Sequence, residues 1–422
     1  MKVVDNIACT VCGCVCDDLK LVVDGNRVTQ AQGACKLAEP WFLDMGNCQP
    51  PAAQIDGRKV DYQEAISRAA ELLDAAHAPL VYGLSRSSTD GQRAAIALAE
   101  KLGATIDTTA SLCHAPSISA LQEVGEVTCT LGEIKNRSDL VIYWGVNPTS
   151  THPRHMERYS LFPRGRLVPG GRTDRTLVVV DVKPTATSEI ADLYIPVEPG
   201  RDFEMLMILQ NLIHGVPVGG EHCHGMPMEL LGELARKMKS CRYGAVFFGL
   251  GLSLTSGGQH NVEALLTMVR ELNQYTRFCA RPMRILGDVT GADKVLAWQT
   301  GYPFSVNFSR GYPRYNPGEF SAQEMLERGD VDACLFVGSE GAGRFSRKAW
   351  EYLQEIPVIT LDYPNVQTPL SAAVRFTSAV YGIHRPGTAY RMDGVPIPLS
   401  HVLDSSYPSD EETLNSINRQ LP

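Results

Sequence analysis

The chain of 422 residues carries 12 cysteines, and they are unevenly placed. Cys9, Cys12, Cys14, Cys16 and Cys35 crowd its start, in a C-x2-C-x3-C frame followed by one later cysteine. Four thiolates so spaced can each take one iron corner of a [4Fe–4S] cluster, with one loop wrapping three corners. Gly13 and Gly33 suit a chain that bends tightly there. Zinc remains a second reading, because C-x2-C is also half of a zinc knuckle, and an unmetallated set of thiols is a third. Cys14, with a single residue between it and each of Cys12 and Cys16, is expected to point away from the ligands as the spare. Cys48, Cys129, Cys223, Cys241, Cys279 and Cys334 are scattered and read as ordinary buried residues.

Composition limits what such a frame can belong to. At 44% hydrophobic and 20% charged residues the chain reads as globular, with roughly two or three domains. It is long enough to bury a large core without a disulfide framework. The net charge of −8, with acids and bases interspersed, argues against a nucleic-acid binder, which needs a basic face. There is neither an apolar run long enough to span a membrane nor a signal core at Met1–Asp5, so a cytoplasmic location is expected. In a reducing compartment cysteines are more often metal or redox groups than bridges.

The elements that must hold these residues read as α/β. Apolar runs at 80–84, 140–146, 177–182, 245–252, 334–338 and 358–363 predict strands, and 92–102 and 259–272 predict amphipathic helices. Three stretches occur as look-alike pairs: 82–92 with 248–259, 139–145 with 332–338, and 179–197 with 359–380. They imply an N-terminal iron–sulfur subdomain followed by two pseudo-duplicated Rossmann-like parallel-sheet domains. The expected boundaries are 1–56 for the cluster subdomain and 57–135 with 322–400 for a discontinuous first α/β domain. A second α/β domain follows at 136–278, then a connecting active-site segment at 279–321 and a tail at 401–422.

Two loops after these strands resemble the molybdopterin-dinucleotide oxidoreductases. Trp144-Gly145-Val146-Asn147-Pro148 through His152-Pro153 is similar to their GxNPxxxHP loop. Asp181-Val182-Lys183-Pro184-Thr185 through Asp192, ending in Pro199-Gly200-Arg201-Asp202, is similar to their second signature, with Lys183 in place of Arg and Arg201 in place of Thr. A narrower resemblance covers most of residues 1–380. CTVCGCVCDDL (9–19), SLCHAPS (111–117), GEIKNRSDLVIYWGVNP (132–148) and WQTGYPFSVNFSRGYPRYNPGE (298–319) resemble the B subunits of formylmethanofuran dehydrogenases.

The resemblance implies an oxidoreductase subunit that reduces CO2 to formate by two electrons, reversibly, for one-carbon metabolism and methanogenesis. Its cofactors would be one [4Fe–4S] cluster on Cys9, Cys12, Cys16 and Cys35, and two molybdopterin guanine dinucleotides with tungsten or molybdenum on Cys113. The pterins would lie between the two α/β domains. His114 would handle the proton, and Arg284, with Arg281 as the competing choice, would orient CO2 or formate bidentately. Gly145, Asn147, Pro148, His152, Asp181, Lys183, Thr185, Gly200 and Asp202 would bind the dinucleotide, with Asp181 on ribose or guanine and Asp202 on the guanine edge. Gly257, Gly258, His260 and Asn261 are read as pterin or phosphate contacts, or simply as the start of a helix. Arg310 belongs to a pterin or subunit-contact loop. The short C-terminal remainder leads to the expectation that the usual C-terminal β-barrel pterin domain is missing and that a small barrel-type D subunit, itself pterin-binding, supplies it. The amidohydrolase A subunit, which would make formylmethanofuran, the C subunit and ferredoxin-type electron carriers complete the expected partners. A non-redox scaffold subunit of a formyltransferase/hydrolase complex is the competing reading. It would have no need of all five cysteines. Another pterin-dependent formate dehydrogenase is the other.

Overall fold

In the computed structural model, residues 1–220, 222–223, 226–366 and 370–422 are described. The chain is mixed α/β and divides into two compact units: Met1–Leu112 with Ile285–Pro422, and Cys113–Arg284.

The second unit is built on five parallel strands, in the spatial order Leu193–Pro196, Thr176–Asp181, Leu140–Trp144, Tyr243–Phe248, Arg277–Pro282. Leu140–Trp144 and Tyr243–Phe248 are buried at every position, as strands covered on both faces must be. Ile142, Trp144, Val178, Val180, Val246 and Phe248 pack into one cluster with Leu206 and Leu209 of the helix Asp202–Ile213 and Leu265 and Val269 of the helix Gly258–Leu272. The first strand of this sheet is central. The chain builds outward to one side of it, then crosses back to build on the other. Strand order therefore reverses between Leu140–Trp144 and Tyr243–Phe248, and the carboxyl ends of that pair open a crevice where α/β sheets hold ligands.

The first unit holds a nine-stranded mixed sheet whose central five strands, Thr105–Thr108, Pro79–Gly83, Ala333–Val337, Val358–Asp362 and Val374–Thr377, run parallel. Buried Asp107 ties its margin together, accepting from the backbone N–H of Thr108, Ser305 and Ala322 at 2.8–2.9 Å. Burial pushes this carboxyl up to about 7 despite those donors. A separate antiparallel sheet is formed by Lys2–Ile7, Leu19–Asp24 and Arg27–Gln32. Residues 401–422, read as a tail, contain the helix Asp410–Gln420, opened by a capping box on Ser409 and Glu412. Its Leu414 and Ile417 are fully buried in the core with Ala69 and Leu98.

Candidate functional site

Gly145 follows the central strand of the second unit with φ +59°, and a Cβ there would lie 2.8 Å from the backbone of Gly251 and Leu252. Gly251 N–H in turn donates to the Gly145 carbonyl at 3.0 Å. The two loops at the strand-order reversal thus meet backbone to backbone, a contact only glycine allows. The second loop continues to Ser253, whose hydroxyl donates to the Cys113 carbonyl at 3.4 Å. Cys113 is thereby held beside the crevice, 8% exposed, immediately ahead of the helix Ala115–Val124. His114 begins that helix and is buried, and Pro116 lies in its first turn.

The edge strand Arg277–Pro282 delivers Arg284 to the same end of the sheet. Met283 N–H donates to the Phe248 carbonyl at 2.8 Å. Arg284 is 8% exposed, and its carbonyl faces Nε2 of His152 at 2.7 Å. A carbonyl only accepts, so Nε2 carries the proton; Nδ1 is left to accept from the Thr151 hydroxyl at 2.9 Å. Burial lowers the His152 pKa to about 4, with the Arg284 carbonyl opposing. The ring is neutral near pH 7 and both its nitrogens are engaged by the chain itself. His152, read from sequence as a cofactor contact, fixes the backbone of Arg284, 132 residues away. Arg281, the competing choice, lies on the strand itself and donates to the Thr128 hydroxyl.

The acidic residues stand on the other side of the reversal. Asp202 opens its helix with Oδ1 accepting from the Trp144 indole N–H at 2.7 Å. Its Oδ2 is buried and has no hydrogen-bond partner among the described residues. Burial raises this carboxyl, as does the charge of Asp181. Asp181 ends its strand half-buried; burial raises it, while the N–H groups of Val182 and Lys183 and the Lys183 ammonium oppose. Asn147 shapes the first loop, its Oδ1 accepting from the hydroxyls of Thr149 and Thr187 at 2.5 and 2.6 Å. Pro148 opens the short turn Pro148–Thr151. Thr185 N–H donates to Ser188 Oγ at 2.7 Å, and Lys183 and Gly200 are exposed. The Trp144 indole, unremarked in the sequence, is what sets the Asp202 carboxylate.

The five other expected contacts lie at the start of the helix Gly258–Leu272 and in the first unit. His260 is exposed and turned to Glu263 of its own helix, 3.0 Å away. Asn261 is buried and donates to Thr255 Oγ1 at 3.0 Å, pinning the loop behind Ser253. Gly257, at φ +72°, and Gly258 form the entry to that helix. Arg310 is an exposed residue of the first unit.

The thiol frame belongs to the first unit. The loop joining Lys2–Ile7 to Leu19–Asp24 closes on itself, with Cys9 N–H donating to Cys16 O at 2.7 Å and Val15 N–H to Cys12 O at 3.1 Å. Val15 takes φ +36°. The Cys35 carbonyl accepts from Ala38 and Glu39 N–H at 2.9 Å each. Arg86 Nη1 donates to the Thr10 carbonyl at 2.9 Å and Met392 N–H to the Gly13 carbonyl at 2.8 Å, fixing the loop from outside. Burial raises the Cys9 thiol, and the nearby charges of Cys12, Cys16 and Cys35 raise it further, so the four sulfurs lie within one another's field. Cys14 is not turned away. It hydrogen-bonds the Cys12 thiol, which is lowered by that bond against burial, with Arg86 assisting. The loop is coiled and not extended, so the alternation of a strand does not apply. Among the described residues no three His, Cys, Asp or Glu side chains converge as the ligands of a single metal ion do.

Three further readings are corrected, and Cys241 is one of them, being only half-buried. Cys48 is exposed, because it sits in the loop leading to Pro50-Pro51. Cys129 is only half-buried and lies beside Cys279. The side chain of Cys223 lies outside the described residues. No helix among the described residues is long and apolar enough to cross a membrane.

Compared with models of known protein families, the chain matches none. It is 41% identical over 411 residues to the B subunit of the tungsten-containing formylmethanofuran dehydrogenase 2 of Methanocaldococcus jannaschii, covering 96% of this chain and 94% of that protein. The corresponding protein of Methanococcus maripaludis is 38% identical over 410 residues, with the same coverage. Among solved structures, a chain of the formyltransferase/hydrolase complex from Methylorubrum extorquens superposes with a TM-score of 0.72 at 25% identity, covering 87% of this chain and 98% of that one. With both sequence relatives matched nearly end to end, the chain belongs to the family of formylmethanofuran dehydrogenase B subunits, which are oxidoreductases.

Proposed function

We propose that this chain is the redox subunit in which CO2 and formate interconvert. Cys113 would be the protein ligand of a tungsten or molybdenum carried by two molybdopterin guanine dinucleotides. Cys9, Cys12, Cys16 and Cys35 would hold a [4Fe–4S] cluster. When bound, these groups supply the two-electron exchange and the passage of electrons to and from it. The residues present fit them. The buried, unpartnered Asp202 Oδ2 at the reversal is a ready acceptor for a guanine N–H. The glycines of the two loops leave the strand ends at the reversal without Cβ atoms, so a pyrophosphate can approach the backbone closely there. Cys9 feels the charges of Cys12, Cys16 and Cys35, so the four N-terminal thiols share one neighbourhood, which a cube taking one thiolate per corner requires.

The chain's own residues do the rest. Cys113 offers a soft sulfur just ahead of a helix N-terminus, where a thiolate is favoured. His114, buried beside it, would hold the proton exchanged with carbon at an imidazole nitrogen. Arg284 would grip the carboxylate through its guanidinium, its backbone fixed by His152. Membership of the family supplies the product chemistry: formate would pass to an amidohydrolase partner, a barrel-type partner would complete pterin binding, and ferredoxin-type partners would carry electrons.

The single observation that carries this reading is the Ser253 hydroxyl holding the Cys113 backbone at the crevice where the glycine loops meet. In Cys113→Ala, viologen-coupled formate oxidation and the tungsten or molybdenum content of the purified complex should both fall to background while iron content stays constant. Full metal content and activity would overturn the assignment. The scaffold reading is favoured by neither the thiol frame nor the higher identity to the dehydrogenase proteins.

A further inference from the structure

Cys129 and Cys279 are remote from the thiol frame and from Cys113 in sequence, and nothing in the proposed reaction uses them. Cys279 lies on the edge strand Arg277–Pro282 of the second unit, buried. Residues 127–129 run along its open side, where Ala280 N–H donates to the Val127 carbonyl at 2.9 Å. Arg281 Nη1 crosses to the Thr128 hydroxyl. This pairing brings Cys129 Sγ to 3.0 Å from Cys279 Sγ, one thiol hydrogen-bonded to the other. A disulfide requires about 2.05 Å between sulfurs, so closure asks for a movement of roughly one ångström.

The two sulfurs are not equivalent. Cys129 is half-buried and reaches solvent, whereas Cys279 does not. Cys129 is the more acidic partner: its hydrogen bond with Cys279, the Tyr243 hydroxyl and the Arg281 guanidinium lower it, against burial and Glu133. Cys279, within the strand, is raised by that bond, by burial and by the charge of Cys129. A more acidic, accessible thiol beside a less acidic, buried one is the division of labour of an attacking and a resolving cysteine.

We propose that Cys129 and Cys279 form a redox-active dithiol that closes reversibly to a disulfide at the edge of the second sheet, with low-molecular-weight disulfides as oxidant. The Cys129 thiolate attacks one sulfur of the oxidant, forming a mixed disulfide and expelling one thiolate. Cys279 then attacks the Cys129 sulfur, gives up its proton and expels the second thiolate. Two protein thiols and one small disulfide become one protein disulfide and two small thiols, a two-electron exchange. Closure ties residue 129 covalently to the strand that leads to Arg284, so the oxidation state of the pair is felt on that strand.

The test uses the purified native complex, held anaerobically and equilibrated with oxidised glutathione, then alkylated and cut with trypsin and a glutamate-specific protease. The expected product is peptide 127–133 joined to peptide 278–284, lighter by two hydrogens than their sum and separated again by dithiothreitol. In Cys279→Ser, peptide 127–133 should instead carry one glutathione. Full alkylation of both peptides in the wild type, or a glutathione adduct on Cys129 that persists there unresolved, would overturn the proposal. Because the deciding readout is on the unmutated complex and at the peptide level, it holds even if a variant fails to assemble. It is independent of the metal content that tests Cys113.

Discussion

Removing the imidazole of His152 should loosen Arg284 without touching the proposed metal ligand. His152 is 1% exposed, and in His152→Ala the buried Arg284 carbonyl loses the donor 2.7 Å away. An unsatisfied buried acceptor costs about 1–3 kcal/mol, before the cavity left by the ring is added. His152→Gln can return one N–H to that carbonyl and should recover much of the loss. The pH dependence separates this account from a general packing defect. The His152 pKa is about 4 in the folded chain, against about 6.5 unfolded. The unfolded state therefore binds the proton first as pH falls. The stabilisation held above pH 6.5 is lost between there and pH 4, amounting to about 2 kcal/mol between pH 7 and pH 5. Glutamine does not titrate, so the unfolding free energy of wild type minus that of His152→Gln, from chemical denaturation of the full chain, should shrink by that amount over the interval. A difference that stays constant with pH would refute the buried neutral ring. In the assembled enzyme His152→Ala should also raise the KM for formate by about tenfold or more, through misplacement of Arg284, and His152→Gln should not.

Asp202→Asn keeps an acceptor for Trp144 but replaces the buried free oxygen's charge. Pterin dinucleotide retained after gel filtration should fall about tenfold or more, the worth of a charge-assisted hydrogen bond, and undiminished retention would remove Asp202 from guanine binding. Gly145→Ala forces a Cβ against the Gly251 backbone at positive φ; it should cost about 2 kcal/mol or more, seen as a lowered denaturation midpoint, and an unchanged midpoint would contradict the loop-to-loop contact. Iron per chain should drop in Cys9→Ser, Cys12→Ser, Cys16→Ser and Cys35→Ser, whereas Cys14→Ser should retain it. Equal loss in Cys14→Ser would place Cys14 among the ligands.

The parts legible in the sequence are those fixed by local pattern. The run at 140–146 became the strand Leu140–Trp144 and that at 358–363 became Val358–Asp362, each ending within two residues of the expected end. The helix expected at 259–272 spans Gly258–Leu272. The mixed α/β class with parallel sheets followed from these runs. Arg277–Pro282 escaped notice because two arginines and a proline break its apolar run, and an edge strand tolerates them since only one side is paired. Relations across long separations were hidden for a different reason. His152 with Arg284, Trp144 with Asp202, and Cys129 with Cys279 are each set by strand order. The pairing in each case shows only when the sheet brings the two residues alongside. His260 reads from sequence both as a ligand contact and as part of a plain helix start, and its Nδ1 faces Glu263 one turn on.

X-ray absorption at the tungsten or molybdenum edge of the purified complex tests the central claim most directly. The account predicts one sulfur neighbour beyond those of the dithiolenes in the wild type, replaced by an oxygen neighbour or lost with the metal in Cys113→Ser. An identical spectrum and metal content in both proteins would contradict it.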